Sequence, residues 1–207
     1  MTRLRSLLLV LALTSLSSCG ESTAPNGEGR VTILLTDAPG DVKKAVVTIS
    51  QIYLQGADGE GAPPGGRVVL REEDMTVDLL TLADATVEVV DDVTVPAGQY
   101  AQLRFVVTGG YVEVENEDGS TSVYASSPSY EGLPLGTTVN GALQMPSFAQ
   151  TGIKVILPED AVQISEGQTI LLVDFDVSQS FGKQAGLSGM WVMHPVIIAT
   201  DVSVSGS

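Results

Sequence analysis

The most constraining feature of this chain is its punctuation. From Val31 onward, runs of Val, Ile, Leu, Thr and Tyr are cut by Gly, Pro, Asn and Asp every few residues. The first run, Val31-Thr32-Ile33-Leu34-Leu35-Thr36, stops at Asp37-Ala38-Pro39-Gly40-Asp41. Proline fixes φ at such a corner and glycine accepts a positive φ. β-branched side chains are stiff at χ1 and pack well on a pleated surface. No segment beyond residue 30 carries apolar residues at i, i+3 and i+4 between helix caps. With no helix to cover them, such strands bury their apolar faces against other strands. The expectation is therefore an all-β, antiparallel Greek-key β-sandwich of about nine strands over residues 30–204, with no long helix.

Some details follow from local chemistry. The Asp91-Asp92 pair interrupts an apolar strand and predicts a β-bulge. Tyr100 follows the corner Pro96-Ala97-Gly98 and should pack inward, with its hydroxyl on a backbone partner. Thr108-Gly109-Gly110 reads as a turn between strands 101–107 and 111–115. Glu117-Asp118-Gly119-Ser120 reads as a hairpin turn. Thr169 to Val177 is a long apolar strand that should place Asp174 and Asp176 on one face. Gly56–Gly66 and Ala125–Ala149, rich in Gly, Pro and Ser, read as loops.

The first thirty residues have a different character. Arg3 and Arg5 precede an apolar run centred on Leu-Leu-Leu-Val-Leu-Ala-Leu. That run is shorter than the roughly 20 residues of a bilayer span and fits a signal-peptide core. It closes with Leu16-Ser17-Ser18-Cys19, which resembles the bacterial lipobox. The resemblance implies cleavage after residue 18, lipidation of Cys19 and an anchor of several acyl chains, which holds stably where one chain does not. Cys19 is the single cysteine of the 207 residues, so no internal disulfide forms. Residues 19–29, small, polar and Pro/Gly-bearing, read as a flexible tether. Gly20 stands where inner-membrane lipoproteins commonly carry Asp, which favours an outer-membrane address.

The chain has 10 basic and 25 acidic residues, a net −15. Without the first 18 residues it becomes −17, because Arg3 and Arg5 are lost. Such a surface repels nucleic acid. The lone His194 and lone Cys19 leave no His-based triad and no zinc site. Calcium is the better metal candidate, through Asp37 and Asp41 at one turn, although such aspartates commonly cap their own backbone. Glu113, Glu115, Glu117 and Asp118 cluster on one hairpin without a calcium-loop spacing. Asp174 and Asp176 sit in a very apolar strand, where an unpaired carboxylate is costly. Lys154 and Arg104, each interrupting an apolar run, are their expected ion-pair partners.

Six stretches occur in order: Leu35-Thr36-Asp37-Ala38-Pro39-Gly40-Asp41, Val77-Asp78-Leu79-Leu80, Pro96-Ala97-Gly98-Gln99-Tyr100-Ala101-Gln102-Leu103-Arg104, Gln150-Thr151-Gly152-Ile153-Lys154, Val173-Asp174-Phe175-Asp176 and His194-Pro195-Val196-Ile197. Together they resemble the DUF4382 family of bacterial, mostly lipid-anchored exported proteins, over roughly Arg30 to Asp201. His194 departs from the family's Lys at that place. The Pro-Ala-Gly-x-Tyr turn is also similar to that of prealbumin-like and Cna-B-type sandwiches, a likeness of fold alone, and the expected sandwich is prealbumin- or immunoglobulin-like. The family implies an address and a fold but no activity.

The functional expectation is a non-enzymatic, lipid-anchored envelope protein that binds a protein or glycan partner or has a structural role, with no cofactor. Alternatives are a calcium-dependent adhesion module, a hydrolase using Asp174 and Asp176, and a carbohydrate-binding module. The last requires Trp191, Tyr111, Tyr124 and Tyr130 to form an exposed flat platform.

Overall fold

The computed structural model describes residues 27–37, 42–58, 63, 66–146, 148–181 and 189–205. Among these residues thirteen strands run in chain order: β1 (Glu28–Thr36), β2 (Lys44–Gly56), β3 (Arg67–Arg71), β4 (Met75–Asp78), β5 (Val87–Pro96), β6 (Gly98–Glu115), β7 (Thr121–Ala125), β8 (Gly141–Gln144), β9 (Ile153–Val155), β10 (Val162–Ile164), β11 (Gln168–Phe175), β12 (Trp191–Val192) and β13 (Ile197–Ser205). They exceed the nine expected because several are pieces of two to four residues. Among the described residues no helix is long and apolar enough to cross a membrane.

The strands make two sheets that face each other as a sandwich. The smaller has the order β13-β11-β1-β5. The larger is built on the long β2–β6 ladder. Along one flank of β6 lie β10, β9 and β7, with β8 and β12 beyond β7; along the free flank of β2 lie β3 and β4. The sheets are mixed rather than purely antiparallel. β1 runs parallel to β11, with Arg30 beside Gln168 and Thr36 beside Asp174, and β8 runs parallel to both β7 and β12.

Alternation explains the core. Val31, Ile33 and Leu35 of β1 and Leu171, Val173 and Phe175 of β11 are fully buried. They face Ala45, Val47, Ile49, Ile52 and Leu54 of β2 and Leu103 and Phe105 of β6, buried to the same degree. Removing each such side chain from water contributes about 1.5–3 kcal/mol. The inward phase of β2 changes between Ile49 and Ile52, where its register against β6 shifts. That bulge moves Ile52 and Leu54 inward; strict alternation would have sent Gln51 there.

Other local expectations resolve at named residues. Asp92 has φ +48°, beside register shifts in the β1–β5 pairing, so the Asp pair does form a bulge. Tyr100 is fully buried and its hydroxyl donates to the Pro96 carbonyl at 2.8 Å. In the hairpin after β6, Gly119 has φ +79° and the Asp118 carboxylate accepts from the Ser120 N–H.

Thr108-Gly109-Gly110 is not a turn. β6 runs unbroken through it for 18 residues. A Cβ on Gly110 would lie 2.7 Å from the Val46 carbonyl, and one on Gly109 2.6 Å from the Tyr130 ring. These glycines permit close approach from either side.

The segment after β7 is likewise more ordered than its composition suggests. Tyr130, Leu133 and Val139 pack over Val46, Tyr111, Val123 and Ala125 on the outer face of the larger sheet. They form a small second core, separate from the one between the sheets.

Candidate functional site

Parallel pairing of β1 with β11 brings both C-terminal ends to one end of the sandwich, although 138 residues separate Thr36 from Asp174 in sequence. Asp37 follows Thr36 and is 4% exposed; its Oδ1 accepts the Val177 N–H at 3.1 Å. Asp176 lies just past β11 and caps the helical turn Val177–Ser180. Its Oδ1 accepts from the Gln179 N–H at 2.9 Å and the Ser178 hydroxyl at 2.6 Å, and its Oδ2 from the Gln179 amide. Burial alone would raise the Asp176 carboxyl, but these donors outweigh it and hold the pKa below the ordinary aspartate value.

The same turn holds the bend at His194-Pro195. Buried Ser180 accepts the His194 N–H on its carbonyl at 2.8 Å and the Val196 N–H on its Oγ at 2.9 Å. The Asp176 N–H donates to the Val196 carbonyl at 3.0 Å. The His194 side chain is exposed. Its link to Ser180 is through the main chain, so the pair has the connectivity of a clasp and not of a nucleophile and its base.

The structure thus brings Asp37, Asp174 and Asp176 to one corner, while Asp41 lies outside the described residues, as does Cys19 with the whole leader. Asp176 is not a strand residue: β11 ends at Phe175, and the carboxylate turns back as a cap. The motif Asp176-Val177-Ser178-Gln179 has the spacing of a capping box and signals this in the sequence.

Of the expected cluster of Asp174 and Asp176 with Lys154 and Arg104, Asp176 and Arg104 have other partners. Arg104 donates to the Thr151 and Gly152 carbonyls at 2.9 and 3.1 Å and to Gln102 at 2.8 Å. Lys154 is exposed, opposite Arg104 in the β6–β9 pair of the larger sheet, whereas Asp174 belongs to the smaller one. The ion pairs found among the described residues are Arg30–Asp92, Lys43–Glu115, Lys44–Asp78 and Arg71–Glu73, all at the surface. Among these residues no three His, Cys, Asp or Glu side chains group as metal ligands would.

The aromatic platform is also replaced. Trp191 and Tyr124 are buried against each other, with ring centroids 5.6 Å apart, and Tyr111 is buried in the second core. Tyr130 alone reaches an open surface. It borders a cleft of about 520 Å³ on the outer face of the larger sheet, with Thr48, Asp74, Thr76, Thr108, Gly109, Glu131 and Gly132.

Register explains this second site. Thr76 of β4, Thr48 of β2 and Gly109 of β6 form one row across three strands. The Thr48 hydroxyl lies 2.9 Å from that of Thr76 and 2.6 Å from that of Tyr130. Glycine at 109 leaves the row flat enough for the Tyr130 ring to lie on it, and Gly132 clears its other side. Burial raises the Tyr130 pKa, so the hydroxyl keeps its proton. Sequence reasoning did not find this cleft, because three threonines on three strands leave no spacing signal.

The family model described as "Domain of unknown function (DUF4382)" matches residues 28–195. No curated protein and no solved structure matches the chain.

Proposed function

Because the chain belongs to the DUF4382 family, whose description assigns no activity, we propose from its own residues that it is a lipid-anchored, non-enzymatic binding module of the bacterial envelope. The observation that carries this reading is Leu16-Ser17-Ser18-Cys19 closing a basic-then-apolar leader, nine residues ahead of the first strand at Glu28. A lipidated Cys19 would hold the sandwich close to a membrane, and Gly20 favours the outer one. The aspartates at the motif corner support a structural use over a catalytic one. The Asp176 oxygens accept from the turn they cap, and Asp37 Oδ1 accepts from Val177.

The test is fractionation with metabolic labelling. Expressed in a bacterium fed an alkyne analogue of palmitate, the protein should carry the label and sediment with membranes. Cys19→Ala should be unlabelled and recovered in the soluble fraction. An unlabelled Cys19→Ala variant that still sediments with membranes would overturn the anchor.

A further inference from the structure

We propose that the cleft on the outer face of the larger sheet binds a neutral saccharide unit. The proposal rests on the reading of the chain as a binding module, and the two are tested separately. The cleft's volume of about 520 Å³ falls in the range of roughly 300–1,000 Å³ typical of small-molecule sites.

The chemistry of its lining selects the ligand. Among the described residues it is lined by Thr48, Thr76, Thr108 and Tyr130, which carry hydroxyls, by Asp74 and Glu131, which carry carboxylates, and by no cationic side chain. Two carboxylates on a chain of net −15 repel anions. A purely apolar ligand would displace water from the exposed Thr76 and Thr108 hydroxyls and leave their remaining hydrogen-bonding capacity unmet, at a cost per group of about 1–3 kcal/mol.

The placement of these groups separates a sugar from a cation. A cation is held by carboxylates facing inward, where water screens them least. Here Asp74 and Glu131 are exposed at the rim, while the deeper, half-buried positions belong to the Thr48 and Tyr130 hydroxyls. Thr76, Thr48 and Tyr130 form a continuous chain in which either atom of each contact can donate. Such a chain can reverse its polarity to suit a partner that both donates and accepts, as every sugar hydroxyl does. The rim carboxylates are strong acceptors for the remaining sugar hydroxyls. The chain's direction is open at the Thr76 end, where the side chain is exposed.

Two sources share this chemistry, a soluble saccharide and a wall polymer, and the experiment has an arm for each. The purified protein is titrated with maltose, cellobiose and chitobiose while amide ¹H–¹⁵N spectra are recorded. In parallel it is pelleted with purified peptidoglycan sacculi. At least one arm should bind: saturable shifts centred on Thr48, Thr76, Gly109, Tyr130 and Glu131, or co-sedimentation with sacculi.

Thr76→Val keeps a β-branched strand residue and removes one exposed hydroxyl. It should weaken binding about fivefold to tenfold with the rest of the spectrum unmoved. Glu131→Gln keeps an acceptor and removes a charge, so a saccharide should still bind within about an order of magnitude. The proposal fails if neither arm shows binding, if shifts centre elsewhere, or if Thr76→Val binds as the parent does. It also fails if calcium or spermidine shifts these amides and Glu131→Gln abolishes that effect. None of these failures bears on the Cys19 fractionation result.

Discussion

Asp176 shows how much one side chain can organise. It receives two hydrogen bonds on Oδ1 and one on Oδ2, and its own N–H ties β11 to the bend before β13. A carboxyl whose folded pKa is depressed stabilises the fold fully above its unfolded value, and that stability is lost as pH falls through the folded value. The ordinary aspartate value is about 3.9. Urea midpoints should therefore be flat with respect to this group near neutrality and decline through and below that pH. Asp176→Asn keeps a capping oxygen but cannot titrate. It should be less stable than the parent at pH 7, with the difference shrinking in acid. A constant difference from pH 7 down to about pH 2 would show that the carboxylate charge is not what the turn's donors recognise. The capping-box spacing makes this role legible at residues 176–179. Asp37 was not legible in the same way, because its partner Val177 is a neighbour only through the pairing of β1 with β11.

At the scale of elements, alternation was readable and pairing was not. The strands at β1, β2, β5, β7 and β11 follow from their β-branched runs, and the Asp91-Asp92 bulge from its two interrupting charges. Gly109-Gly110 misleads because glycine commonly marks a turn, whereas here it admits the Val46 carbonyl and the Tyr130 ring. What demands glycine at 109 is the Tyr130 ring, which arrives from a later segment, and no local window contains it. Gly109→Ala should accordingly displace Tyr130 and strip the Thr48–Tyr130 contact. Overfilling a packed site costs about 1–3 kcal/mol, readable as a lower urea midpoint together with altered fluorescence of Tyr130. A variant as stable as the parent, with Tyr130 unmoved, would mean that the ring does not rest on the glycine. Residues 126–140 form a loop, as their Ser, Pro and Gly content implies, but one that packs on the sheet, and the packing is what composition does not show. It has only Tyr130, Leu133 and Val139 to bury, and three apolar residues without a period give no pattern to read.

For the whole molecule, the decisive contact is between strands near opposite ends of the described chain. β1 cannot finish either of its ladders until β5 and β11 are in place, and β11 in turn pairs with the C-terminal β13. The loops to be closed are long, and their entropy opposes folding before any of the pairing rewards it. Refolding from urea should be slow, on the scale of roughly milliseconds to seconds, and amides of β1 should gain protection together with those of β11 in pulsed hydrogen exchange. Protection of β1 well ahead of β11 would contradict the interdependence. The all-β class and the two-sheet packing were legible from composition and periodicity. The mixed, partly parallel order was not, because a strand's sequence records which faces are buried and not which neighbour lies beside it.

That order also sets the mechanics of the fold. β1 is flanked on both sides, by β11 and β5, along nearly its full length. Tension applied through the chain ahead of Glu28 acts along the strand axis, so the hydrogen bonds of both ladders take the load together in shear. An outermost strand under the same pull would have one ladder to carry the load instead of two. Under the proposed Cys19 anchor, a pull from the membrane would enter the sandwich through β1 and meet both ladders at once.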